Sequence, residues 1–403
     1  MAPDQMACQA RVGQIRSEMD APADPRLTSR GSASLPAARI VFADTTRAYD
    51  GRDLALRPLG GTETSVIQLA EALARRGHDV VCCTRTAERV AHNGVRWMPL
   101  GTDGLDGGDL FVAVQHPELM GLARRPRRLA LWVVWPPGSL RRGRRAMRLW
   151  WHRPRPVFVS QFQARHYPLW LPGSRAPLVI PFGLPDAVRG RALLATPPPP
   201  RAVFASNPQR DLRWLLGLWA RAILPAVPGA ELHLYGIRDY AYRYGEPWEE
   251  TEHRLGQFVP GDFPAAARAS LRPHPPARRD DLWEAMRAAR VMLYGGHRVE
   301  AFCLAIAEAQ ALGVPAVVRP IAVMPERVRD GVTGFVALAD DAFARRAVAL
   351  LTDDTLWRAQ HEAALRLQQG WSWDQMAERF EAEVVHARDG AGRQGPRERG
   401  GDR

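Results

Sequence analysis

The sequence predicts an α/β protein made of two Rossmann-like domains facing a central cleft. Three observations predict it. Short apolar runs alternate with longer amphipathic stretches, the pattern of parallel strands covered by helices on both faces. The alternation occurs twice, on either side of four consecutive prolines at 197–200. Such a run is stiff and extended and cannot continue a helix. Finally, a Gly60-Gly61 turn joins the first strand to the first helix, where backbone can approach a ligand at a helix start.

In the first half, 39–44 reads as a buried strand. Residues 60–65 form a turn that feeds a helix over about 65–76, and Gly77 ends it. Residues 79–84 are the next strand, and further strands are expected at 110–114, 129–134, 157–159 and 178–180. In the second half, 202–205, 231–235, 291–294 and 316–318 read as strands. Helices are expected at 211–223, 280–289, 342–351, 355–369 and 372–385, with another beginning near Phe302 and ending at Gly313. The stretch 241–276, rich in Pro, Arg and aromatics, gives no clear element pattern. The domains are therefore expected at 39–196 and 197–371, with a helix at 372–388 packing back on the first domain. Residues 1–38, which lack a signal-peptide apolar core, and the Gly- and Arg-rich 389–403 read as a disordered leader and tail.

The chain has 403 residues and a formal charge of +12, and its 55 basic side chains are all Arg. Any phosphate must then be met by guanidinium, which binds bidentately and stays charged. Cysteines at 8, 82, 83 and 303 have neither a zinc spacing nor a disulfide framework, so buried thiols in a reducing cytoplasm are expected. No apolar run is long enough to span a bilayer.

Chemistry concentrates in three places. Glu300 and Glu308 bracket an apolar helix start. Between them the amides of Phe302, Cys303 and Leu304 are free to hold an anion, while the two acids can face one ligand at two points. A nucleotide-sugar has this layout, with hydroxyls on either side of a diphosphate. Arg210, with Arg213 as second choice, follows a strand and enters a helix; a cation there opposes the helix dipole unless an anion sits beside it. The Gly60-Gly61 turn is the third. A plain turn, a solvated helix-end Arg and a dipole-favouring Glu are the bland readings of the three.

Taken together, Glu300 to Glu308 with Gly313-Val-Pro, the run Glu326-Arg-Val-Arg-Asp-Gly331-Val-Thr-Gly334-Phe, Gly60-Gly-Thr-Glu-Thr-Ser, and Val179-Ile-Pro-Phe-Gly183-Leu resemble retaining glycosyltransferases of the GT-B fold, in particular family 4 and its E-x7-E motif. The resemblance covers about 39–386. It implies a nucleoside-diphosphate-sugar donor, a saccharide or lipid-linked acceptor, transfer with retention, and no obligatory metal or cofactor. It implies that Glu300 holds hydroxyls of the donor sugar, Glu308 the ribose and Arg210 the diphosphate, and that His116 lies by the sugar. Phe182 replaces the family's Asn, and Cys303 its Gly. Asn93, His78 and His297 are weaker candidates. A role in cell-surface polysaccharide or glycolipid synthesis is expected.

Arginines at 124, 125, 127, 128, 141, 142, 144, 145, 148, 153 and 155 interleave with Trp132, Trp135, Trp150 and Trp151. This suits an anionic membrane surface, and peripheral attachment at the inner face of the plasma membrane is one expectation. A composition-driven solvated face is the plain alternative. Two rivals are an Arg-rich nucleic-acid-binding protein, which leaves the glutamates unexplained so that no nucleic acid is expected, and a catalytically silent GT-B scaffold.

Overall fold

In a computed structural model, the structure describes residues 36–101, 107–236, 253 and 255–387. Most of the expected leader and the whole expected tail lie outside them, as does 237–252 within the stretch that gave no pattern. Residues 36–38 are described, and Ala38 is buried.

The first sheet contains β1 (Arg39–Ala43), β2 (Asp79–Thr84), β3 (Val90–His92), β4 (Val95–Pro99), β5 (Leu110–Val114), β6 (Arg128–Val133), β7 (Arg155–Phe158) and β8 (Leu178–Val179). Its order is β3-β4-β2-β1-β5-β6-β7-β8, parallel except at β3–β4. Its helices include α1 (Gly61–Arg75), α2 (Gly143–His152) and α3 (Gln161–His166). The β3–β4 hairpin was not expected. β3 is the edge strand and has no buried residue, and β4 buries only Val95 and Trp97, alternating with exposed or half-buried positions, so the pair lacks the apolar run that marks a buried strand.

The chain crosses over at β9 (Gly183–Leu184) and builds a second, wholly parallel sheet of β10 (Arg201–Ala205), β11 (Glu231–Tyr235), β12 (Leu271–Pro273), β13 (Val291–Tyr294), β14 (Ala316–Val318) and β15 (Gly334–Val336), in the order β12-β11-β10-β13-β14-β15. Helices α4 (Leu212–Leu218), α5 (Arg279–Arg287), α6 (Leu304–Ala311), α7 (Met324–Arg327), α8 (Asp340–Thr352) and α9 (Asp354–Leu367) accompany it. The run expected as one helix over 211–223 ends its α-helical part at Leu218 and continues as a wider turn, Trp219–Ile223. Each sheet reverses strand direction of travel beside its first strand, between β1 and β5 and between β10 and β13. Those are the points where the carboxyl ends of parallel strands open a crevice.

The lobes are joined twice. β16 (Trp371–Ser372) pairs with β9, and α10 (Trp373–Phe380) then lies on the first lobe. Phe380 stacks on Phe42 of β1 with ring centroids 6.2 Å apart, and Arg75 at the end of α1 reaches Asp374 at 2.7 Å. A Ser372–Gln375 capping box starts α10. The crossover precedes the prolines. Gly190 N–H donates to Gln369 Oε1 at 2.6 Å, and Leu194 N–H to His361 Nε2 at 3.0 Å, so 190–194 already ride on the second lobe. Side-chain acceptors distant in sequence set that boundary, and composition does not reveal them.

Candidate active site

A cavity of about 260 Å³ opens between the lobes at these crevices. Leu59, Gly60, Gly61, Thr62, Trp135 and Phe182 line it from the first lobe and crossover; Ser206, Asn207, Arg210, Tyr235, Arg279, Glu308 and residues 299–305 line it from the second.

The glycine turn enters a helix earlier than expected. Gly60 is extended, α1 starts at Gly61, and the Ser65 hydroxyl already donates to the Gly61 carbonyl one turn back at 2.7 Å. A side chain at Gly60 would collide with the buried Glu63 carboxylate. Gly61 faces Leu304 across the cleft, where a Cβ would lie 3.4 Å from its methyl. Gly60 has no side chain with which to cap α1, and Gly60, Gly61 and Thr62 line the cavity, so the positive dipole end of α1 lies at its wall.

On the opposite wall, helix α6 starts at Leu304. The expected start near Phe302 is corrected by Cys303, whose left-handed backbone (φ 61°, ψ 75°) ends the loop. Phe302 and Cys303 therefore belong to the approach, and the first helical amides are those of Leu304 and Ala305. The Ala307 N–H makes the first turn's bond back to the Cys303 carbonyl at 3.1 Å. Burial pushes the Cys303 thiol well above its ordinary pKa, so it stays neutral and unreactive.

Glu300 and Glu308 are both buried, and each is paired with an arginine. Arg210 donates to Glu300 Oε1, which also accepts the Tyr294 hydroxyl at 2.6 Å. Burial and the neighbouring carboxylate drive the Tyr294 hydroxyl far above its usual range, so it remains a donor. Burial is the largest single influence on Arg210 and opposes its charge, but Glu300, Tyr294 and Cys303 together outweigh it and hold the guanidinium above its ordinary value. Arg279, on α5, donates to Glu308 and lies over the Trp283 ring, 5.2 Å from its centroid. Two cation–acid pairs thus flank the α6 start. Arg210 itself is carried by the turn before α4, where Asp211 is left-handed (φ 64°) and is gripped by Arg319. Arg319 also donates to the Gly295 carbonyl at 3.1 Å and covers Trp214 at 4.3 Å.

Two expected residues fall elsewhere. Arg213 is exposed on α4 and does not line the cavity, because the two intervening positions turn it away from Arg210. His116 lies behind the wall: its ring meets Trp135 edge-on at 5.5 Å, and its Nδ1 lies 3.3 Å from Glu118. Trp135 stands in the cavity instead, its Nε1 donating to Thr62 Oγ1 at 3.2 Å. His297 is half-buried beside the Glu300 loop, its Nδ1 accepting the Val299 N–H at 3.3 Å. Asn93 binds Glu71 at 3.0 Å, away from the cavity. Arg279, Tyr294 and Trp135 were missed; the only signal available was Arg279 at a helix start, again against the dipole.

His78 lies far from the cavity, in a cluster with Glu381 and His386 whose ligand atoms are within 4.8 Å of one another. Its Nδ1 accepts the Ala38 N–H at 3.1 Å, so the neutral ring carries its proton on Nε2, toward Glu381. A metal would need that lone pair. The cluster instead ties the last described turns to the end of α1, helped by Arg76 with Glu381 at 2.5 Å.

Two facing Rossmann-like lobes with the ligand crevice between them define the GT-B class, and this chain has that fold. Residues 273–366 match the family model "Glycosyl transferases group 1", so this part of the chain is a group 1 domain. Over 109 residues the chain is 34% identical to D-inositol 3-phosphate glycosyltransferase of Streptomyces griseus. That match covers 27% of this chain and 23% of the relative, so the chain matches about a quarter of the relative's length. Among solved structures, sucrose-phosphate synthase from Thermosynechococcus elongatus superposes with TM-score 0.64 at 16% identity over 85% of this chain and 98% of that one. HepE of Anabaena in complex with UDP-glucose gives 0.62 at 14% identity, over 87% and 100%.

Proposed function

We propose that this chain is a retaining glycosyltransferase of the family 4 type, moving a sugar from a nucleoside-diphosphate-sugar to an acceptor hydroxyl in the synthesis of a cell-surface polysaccharide or glycolipid. The observation that carries this is the alternation of charge around one helix start: Arg210 with Glu300, the free amides of α6, then Arg279 with Glu308. The solved complex of a protein of this fold with UDP-glucose supports a donor of that class.

Without donor the two arginines are neutralised by the two acids. A diphosphate entering between them draws Arg210 from Glu300 and meets the amides of Leu304 and Ala305. Glu300 is then free to accept from sugar hydroxyls, with Tyr294 steadying it, and Glu308 from the ribose. The nucleobase extends toward Tyr235, Pro276 and Ala277. As the bond from the anomeric carbon to the diphosphate breaks, its negative charge grows where Arg210 and the helix dipole already point. That is preorganised electrostatic stabilisation. The acceptor oxygen attacks on the face being vacated, and its proton passes to the departing phosphate oxygen, so no protein nucleophile is required. His116 acts through Trp135, by holding the wall against which the sugar rests. The acceptor is a saccharide or a lipid-linked saccharide, reached by peripheral attachment to a membrane.

Thermal unfolding with a panel of nucleotide-sugars tests the reading. A ligand at a hundred times its Kd adds about 2.7 kcal/mol; a panel in which none raises the midpoint overturns it.

A further inference from the structure

Between Glu118 and Asp186 the sequence contains 13 arginines and no acidic residue, more positive charge than the +12 of the whole chain. The fold turns part of it outward on α2 and the residues just before it. Ala146 and Leu149 are the buried residues of α2, while Arg144, Met147, Arg148, Trp150 and Trp151 are exposed. At 3.6 residues per turn, Met147 and Trp151 share the outer ridge, with Trp150 on one side and Arg144 and Arg148 on the other. Trp151 is 85% exposed and Met147 67%. Among the described residues, Arg141, Arg142, Arg144 and Arg148 have no carboxylate partner. A second apolar point is near: Leu169 and Trp170 are 85% and 52% exposed, and their neighbours Tyr167 and Leu171 share one buried cluster with Ala146 and Leu149.

We propose that this face of the first lobe docks on an anionic lipid bilayer, with Met147, Trp151, Leu169 and Trp170 entering the interface and the arginines beside them meeting lipid phosphates. Charge complementarity and the apolar ridge argue together for that occupant. A nucleic acid would use the arginines and stack on the tryptophans, but it offers Met147 and Leu169 no apolar phase. Aromatic rings with a wet edge and long cationic side chains are the chemistry of the membrane–water interface. The inference rests on the proposed function only in its purpose. α2 follows Trp135 of the cavity wall by one short turn, Pro137–Arg141, so docking brings the acceptor side of the cleft to lipid-linked sugars.

Co-sedimentation with vesicles, run without donor, tests it. Phosphatidylcholine vesicles mixed with phosphatidylglycerol should bind the protein and release it as salt rises, and pure phosphatidylcholine should bind far less. Arg144→Ala with Arg148→Ala should lower partitioning on the order of tenfold. Met147→Ser with Trp151→Ser should weaken binding and reduce the blue shift of tryptophan fluorescence, leaving only the share from Trp150 and Trp170. All four side chains are exposed, and unchanged thermal unfolding checks each fold. Equal binding to both vesicle types, or wild-type binding by both variants, overturns the proposal. So does binding of single-stranded RNA that the same substitutions weaken while vesicles go unbound. A chain that docks yet binds no nucleotide-sugar would sink the proposed function and leave this inference standing.

Discussion

Arg210 and Glu300, 90 positions apart in sequence, form a hydrogen-bonded ion pair in the wall of the interlobe cavity. The pair does two jobs in the proposed reaction. It gives a buried carboxylate a hydrogen-bonded partner while the cleft is empty, and it stores a guanidinium where a leaving diphosphate would need it.

Arg210→Ala should lower kcat by about 100- to 1,000-fold, the range seen when one transition-state donor is removed. It also leaves Glu300 buried without its cation, costing about 1–3 kcal/mol. Arg210→Met combined with Glu300→Gln should recover most of that stability and none of the turnover. Steady-state kinetics beside thermal unfolding separates the two effects, and wild-type turnover in Arg210→Ala would refute the role.

Glu308→Ala and Arg279→Ala should each weaken donor binding more than they lower kcat. Because the two side chains are paired, their effects should not add, and an interaction energy of about 0.5–3 kcal/mol is expected in the double-mutant cycle. Titration calorimetry with the donor measures it. Strict additivity would show that Arg279 does not act through Glu308.

Cys303→Gly should leave stability nearly unchanged. Glycine relieves a left-handed backbone worth about 1–2 kcal/mol, while the freer unfolded chain costs about 0.4–1 kcal/mol and the packing of the buried thiol is lost as well. Cys303→Val, β-branched at the same φ, should be clearly destabilised. Melting temperatures of the two variants decide; a stable Val variant would contradict the assigned backbone.

Acid should destabilise the second lobe through its half-buried and buried histidines. Burial first, and then His233, holds His274 down to about 4, against about 6.5 in an unfolded chain. The folded state therefore binds fewer protons between those values. The contribution is complete above about pH 6.5 and is lost as the pH falls toward 4. Burial lowers His233 and His361 as well, so the slope is shared. His274→Gln should flatten it in part when melting temperature is followed against pH, and an unchanged slope would reject the assignment.

Gly183→Ala should damage the crossover, since its Cβ would lie 2.7 Å from the Trp373 Cα. Backbone cannot yield there as a flexible side chain could, and about 1–3 kcal/mol of overpacking is expected. Thermal unfolding reads it, and a wild-type midpoint would show that the hinge can open.

By itself the sequence determined the two-lobed α/β plan, because buried parallel strands must be short apolar runs and their covering helices must repeat about every 3.6 residues. It also determined that Glu300 would stand just before a helix, Glu308 within it, and Gly60-Gly61 at the start of another, since glycines and apolar periodicity mark those points locally. Gly313 ends α6 with φ 78°, and a Cβ there would lie 2.6 Å from His361, so its type was legible and its reason was not. Only the tertiary structure decided which arginines face which acids. Arg210 and Arg213 lie three positions apart, yet one enters the cavity and the other faces water, because a left-handed Asp211 held by Arg319 sets the turn between them. Arg279 meets Glu308, Trp135 displaces His116 from the cavity wall, and the linker joins the second lobe before its prolines, all through contacts between residues distant in the chain. Local pattern carries periodicity and backbone preference. Pairing of charge across a cleft depends on where folding brings the strands' ends, and no short stretch of sequence contains it.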